Sequence, residues 1–158
     1  MPRVPSDILI EGLPPGGAVG IDPGRTSGGI AYVWKGGGIA CKMPETDHDI
    51  WETIQRLRRL TDTATLEKVH SMPGQGVAST FKFGTSYGEL KMALVAGGFV
   101  HDLVTPRKWQ QKMQCLSGGD KNITKQAAQR LFPNLTITHA IADALLIAEY
   151  SRRLHLEL

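Results

Sequence analysis

The stretch Ala18-Val19-Gly20-Ile21-Asp22-Pro23-Gly24 constrains the chain more than any other. Ala18, Val19 and Ile21 are apolar residues suited to a buried strand, and Pro23-Gly24 forbids that strand from continuing. The chain that leaves this breaker can return over residues 26–33 as an antiparallel partner. Asp22 is the unusual member, because a carboxylate at the end of an apolar strand has no packing reason to be there. A single Asp in such a place is ordinarily a turn or cap residue. It becomes chemistry only where other carboxylates converge on it.

The pattern downstream predicts a mixed sheet covered by helices. Residues 27–34 read as a second strand, Lys35-Gly36-Gly37-Gly38 as a hairpin turn, and residues 39–43 as a third strand. Ile50, Trp51, Ile54, Leu57 and Leu60 recur at helical spacing and predict a helix over 47–60. Its Arg56, Arg58 and Arg59 suit the negative end of the helix dipole. A fourth strand is expected over 63–70, a breaker-rich loop over 71–76, and a long helix over 77–96 ended by Gly97-Gly98. A fifth strand follows over 99–104. Pro106 then opens a short helix over 107–113, and further helices are expected over 121–132 and 139–153. The order β-β-β-α-β-α-β-α gives an α/β fold. Residues 1–16 are expected to be an irregular lead-in, and 17–158 a single domain. A chain of 158 residues supports one core.

Two further acidic residues sit as oddly as Asp22. Glu67 lies between the apolar Leu66 and Val69. Asp143 interrupts the otherwise apolar run Ala140-Ile-Ala-Asp-Ala-Leu-Leu-Ile147. A buried, unpartnered carboxylate is costly, so Asp143 needs a cation, a donor cluster or an exposed rim. His139 precedes it by four residues and shares its helix face. Carboxylates gathered at strand ends, without a Cys or His cluster, suit a hard cation such as Mg²⁺. Two such ions can activate a water and stabilise the leaving oxygen of a phosphodiester.

The net charge of +3 permits a polyanionic partner without requiring one. Its distribution is more telling. Arg107, Lys108, Lys112, Lys121 and Lys125 flank the Gly118-Gly119 turn and can track phosphates. Met72 and Gln75, just after Glu67, stand where a bent strand could be wedged. Cys41 and Cys115 lack metal-ligand spacing and read as free thiols. No apolar run is long enough for a membrane span and the N-terminus lacks a secretory pattern, so a cytoplasmic protein is the default expectation.

Gly20-Ile-Asp-Pro-Gly24, Leu66-Glu-Lys-Val-His-Ser-Met-Pro-Gly-Gln-Gly-Val77 and Ala142-Asp-Ala-Leu-Leu-Ile-Ala-Glu-Tyr150, in this order and spacing, resemble the RuvC-type Holliday junction resolvases. The likeness spans about residues 17–153 and leans to the phage-encoded and chloroplast-like branch. It implies an RNase H-like fold with a five-stranded mixed sheet. It implies a homodimer that nicks four-way DNA junctions symmetrically with Mg²⁺ or Mn²⁺. Asp22, Glu67 and Asp143 match the metal-binding acids, and Lys121 matches a DNA-contacting base. The helix carrying Phe81, Gly84 and Gly88 matches the dimer interface, and the loop after Glu67 the part that enters the junction. Many bacterial members have a second acid in the last helix. Here the residue three before Asp143 is Ala140, and His139 is the replacement, as metal ligand or as proton carrier.

Three other readings compete. One is a junction-binding protein without cleavage, and another is a nuclease for forks, flaps or RNA–DNA hybrids. The third takes residues 20–27 as the phosphate loop of an actin-like ATPase. Those proteins bind ATP between two domains, and one domain is all this length holds, so no nucleotide cofactor is expected.

Overall fold

The computed structural model describes residues 10–70 and 73–156. Its sheet has five strands in the order β3-β2-β1-β4-β5. They are β1 (Ala18–Asp22), β2 (Gly29–Trp34), β3 (Gly37–Lys42), β4 (Thr63–Glu67) and β5 (Val100–Val104). β1, β2 and β3 are antiparallel neighbours, whereas β4 runs parallel to β1 and to β5. This is the mixed sheet the sequence predicts.

Side-chain alternation along β1 decides where everything else goes. Val19 and Ile21 face one core, which they share with Ile50, Ile54 and Leu57 of α1 (Asp47–Arg58) and Leu90 and Leu94 of α2 (Val77–Ala96). Ile10 and Leu13 pack into this core as well. The opposite face belongs to α3 (Pro106–Lys112), α4 (Lys121–Leu131) and above all α5 (His139–His155). Ala142 and residues 144–151 of α5 are all buried. Side-chain caps open three of the helices: the Thr46 hydroxyl accepts from the Asp49 N–H, Thr105 from Lys108 and Asp120 from Asn122.

Several boundaries shift by a residue or two from expectation, and two of the differences have a clear cause. The hairpin turn is Lys35-Gly36 alone, with Gly36 at φ 101°, and Gly37 and Gly38 already pair with Trp34 and Val33. A two-residue loop matches the strand twist better than a four-residue one. β4 stops at Glu67 instead of running on to residue 70. Its neighbour β5 ends at Val104, and after the Lys68 N–H donates to the Val104 carbonyl no partner strand remains.

Candidate active site

The same alternation that buries Val19 and Ile21 points Gly20 and Asp22 at α5. Gly20 pairs with Thr65 and Ile21 with Leu66, so Glu67 follows on β4 as Asp22 follows on β1. Both carboxylates therefore leave the carboxyl ends of adjacent parallel strands on the α5 side, the place where open α/β sheets collect ligands. Helix α5 is held directly over this end. Gly29, the register partner of Asp22, approaches so closely that an added Cβ would stand 2.6 Å from the Ala140 carbonyl oxygen. One turn on, Asp143 is half-buried, and its charge reaches both Asp22 and Glu67.

The three carboxylates feel one another. Burial first, then the charges of Glu67 and Asp143, push Asp22 from its ordinary 3.8 up to about 8. Glu67, only 9% exposed, is raised to about 7, chiefly by burial and also by the Asp143 charge. Asp143 is raised by burial, against the pull of Thr124, Lys121 and His139. Lys121 is the cation that acts on both Asp22 and Asp143. The Gly24 backbone favours the charged form of Asp22 and the Thr124 side chain that of Asp143, while the Thr124 hydroxyl itself donates to the Lys121 carbonyl at 3.3 Å. The Trp109 indole N–H donates to Glu67 Oε2 at 2.7 Å.

Hard, buried, under-neutralised carboxylates are the donor set a divalent cation satisfies. Among the described residues, however, no group of three His, Cys, Asp or Glu side chains stands ready to enclose a metal ion. The second acid of α5, Glu149, faces other work: Arg152 and Arg153 hold it at 2.8 Å each.

The other predicted residues are distributed unevenly. His139 is exposed at the first turn of α5 and its charge reaches Asp143. Lys121 opens α4 beside the carboxylates, and Lys125 follows one turn later, half-buried. Arg107, Lys108 and Lys112 are exposed on α3. Gln75 lies in the exposed loop before α2, and Met72 lies outside the described residues. On α2, Phe81 is 77% exposed, and a Cβ on Gly84 or Gly88 would meet nothing within 4 Å.

Trp109 is a residue whose role the sequence conceals, because it follows the basic Arg107 and Lys108. It is fully buried and serves Glu67. The signal was its solitude, as the one large apolar residue of a short polar helix. Tyr87 of α2 was also missed. Its hydroxyl is buried beside the Val69 backbone without closing a well-formed hydrogen bond, and the Glu67 charge reaches it.

Two expected results follow from these environments. Trp109→Phe keeps the ring and loses the donor. It should lower stability by about 2 kcal/mol at pH 8, where Glu67 is charged, and by less at pH 5. Urea denaturation at the two pH values reads the difference, and equal losses would refute the assignment. The second concerns pH. Asp22 and Glu67 hold protons in the folded state that they release when unfolded, so metal-free stability falls as pH rises from about 4 to about 8 and then levels. Asp47 and Glu149, whose pKa values are lowered by arginines, change stability only at more acid pH. Melting curves in chelator should show that decline, and saturating Mn²⁺ should reverse it most at pH 8. A metal-free melting temperature that rises from pH 5 to pH 8 would contradict it.

No family model matches the chain, and no curated protein matches it in sequence. Solved structures do. A structure of T. thermophilus RuvC in complex with Holliday junction substrate aligns at a TM-score of 0.59 with 18% identity, covering 87% of this chain and 95% of that one. A second, a Thermus thermophilus RuvC structure, aligns at 0.57 with 19% identity over the same shares. With its β3-β2-β1-β4-β5 sheet and with α5 laid across the carboxylate-bearing strand ends, the chain has the RNase H-like fold of these RuvC structures.

Proposed function

We propose that the chain is a divalent-metal-dependent endonuclease that resolves Holliday junctions or related branched DNA by paired nicks. The observation that carries this reading is the meeting of Asp22, Glu67 and Asp143, from two strands and a helix, in a buried place with too little positive charge. The fold shared with the RuvC structures supports it. Asp22, Glu67 and Asp143 would hold Mg²⁺, or Mn²⁺ in its place, with two ions per site. When bound, such ions supply the charge that activates a water and stabilises the leaving oxygen, giving a 5′-phosphate and a 3′-hydroxyl.

The chain's own residues do the rest. Trp109 fixes the rotamer of Glu67, and Thr124 favours the charged form of Asp143. Lys121 stands where a scissile phosphate would approach these acids, and Lys125, Lys112, Lys108 and Arg107 extend the positive track. His139, exposed beside Asp143, is placed to take or give a proton at the reacting end. The loop that holds Gln75 and Met72 would enter the junction. Two copies would pair along the exposed α2 face at Phe81, Gly84 and Gly88, so that two sites cut opposing strands.

A panel of labelled four-way junction, fork, flap and plain duplex with Mg²⁺ tests the reading. Paired nicks in the junction, and none in the duplex, are expected. A second reading, junction binding without cleavage, draws on the engagement of Glu149, the other acid of α5, by Arg152 and Arg153. Tight junction binding with no nicks in either Mg²⁺ or Mn²⁺ would favour it.

A further inference from the structure

Four bonds from three parts of the molecule meet at one guanidinium. Arg25 follows Asp22 by three residues in the β1–β2 connection. Its Nε donates to Ser86 Oγ at 3.2 Å and its Nη2 to Glu89 at 2.8 Å, both on α2. Its Nη1 donates to the Glu45 carbonyl at 3.1 Å, and Nη2 also bonds Asp47 at the start of α1. An exposed ion pair contributes little, but a guanidinium with its donors shared among several elements is a geometric clamp. The side chain is 28% exposed.

The loop it clamps has no slack. The Gly28 N–H donates to the Gly24 carbonyl at 2.9 Å, and a Cβ at Gly28 would overlap the Asp22 carbonyl oxygen. Gly24, the direct neighbour of Arg25, packs with Gly28 against the Asp22 backbone, because a Gly28 Cβ would also overlap the Gly24 nitrogen. A continuous path therefore runs from Glu89 and Ser86 through Arg25 and the close-packed Gly24–Gly28 turn to Asp22. At its far end, Arg25, Phe81, Thr85 and Glu89 line one groove of about 460 Å³, so the clamp reaches the exposed α2 face.

We propose that Arg25 is a positioning residue that ties Asp22 to α2, so that packing of a second copy on the α2 face sets the geometry of Asp22. This rests on the metal site and the α2 pairing proposed above. It adds a reason for a lone protomer to be a poor nuclease: its α2 anchor is unsupported on the side that Phe81 occupies.

The test uses the full chain and reads Mn²⁺ affinity by calorimetry as well as cleavage. Arg25→Met should weaken Mn²⁺ binding and slow cleavage by about 10-fold or more, with junction affinity and the dimer seen by sedimentation unchanged. Glu89→Ala should move both in the same direction by less, and the double variant should be no worse than Arg25→Met alone. Phe81→Asp, which breaks the pairing, should bring Mn²⁺ affinity down to the Arg25→Met level. A merely structural clamp would lower the melting temperature of Arg25→Met and Glu89→Ala and leave Mn²⁺ affinity as it was, which overturns the proposal. So would additive losses in the double variant, or a Phe81→Asp protomer that binds Mn²⁺ like the parent. A parent protein that binds no Mn²⁺ and cuts no branched DNA would sink the proposed function and take this inference with it.

Discussion

Asp22→Asn should stop cleavage of a four-way junction, with a loss beyond the ~100-fold typical of removing a residue that merely supports a metal ligand, while leaving junction affinity at fixed salt within about twofold. The same substitution should raise the melting temperature of the metal-free protein at pH 8. Both outcomes come from one environment. Asp22 is pushed to about 8 because ionising it adds charge to a buried place that already holds Glu67 and Asp143. Asparagine keeps the shape and an oxygen for the Gly24 backbone, but carries no charge to bind a cation or to repel its neighbours. Relief of that repulsion should stabilise the folded state by about 1–3 kcal/mol at pH 8, or several degrees in melting temperature. At pH 5 Asp22 is protonated in the parent, so the gain should vanish. A variant that cuts at the parent rate would remove Asp22 from the site. One that is inactive without the pH-dependent gain in stability would mean that the three carboxylates do not share one electrostatic environment.

Much of this site was legible because strand alternation is local. Asp22 shares its parity with Ala18 and Gly20, Glu67 stands out between apolar neighbours, and Asp143 breaks an apolar helical run. Those three facts survive any reasonable choice of register. The bounds of α2, Val77–Ala96, were also readable, because Gly76 and Gly97 frame it. What failed was what depends on partners far away in sequence. The end of β4 is set by where β5 runs out, and no residue of 68–70 announces it. Trp109 lies 42 residues from the Glu67 it serves, and its basic neighbours masked it. No local pattern marks Arg25, because its partners Ser86 and Glu89 lie 61 and 64 residues on.

Gly20→Ala should have the largest effect on the fold of any small substitution in β1. An added Cβ would stand 2.5 Å from the Ala144 carbonyl oxygen, 2.7 Å from the Ala148 Cα, and closer still to the Ala148 nitrogen. All three are backbone atoms of α5, so no side chain can swing aside, and the whole helix must lift from the sheet. Overpacking that a side chain can absorb costs about 1–3 kcal/mol; here the cost should reach or exceed the top of that range, or about 10 °C in melting temperature. Activity should fall further than stability alone explains, because the lifted helix carries Asp143 away from Asp22 and a displacement of about 1 Å can cost ~100-fold. Gly84→Ala is the matched control. It adds the same methyl to a helical glycine whose Cβ would meet nothing within 4 Å. Removing a mid-helix glycine should therefore stabilise the isolated protomer by about 0.5–1 kcal/mol. If that same methyl weakens self-association in sedimentation, the open face of α2 is where a second copy sits. If association is unchanged, the two copies meet elsewhere, and the small residues of α2 need another explanation.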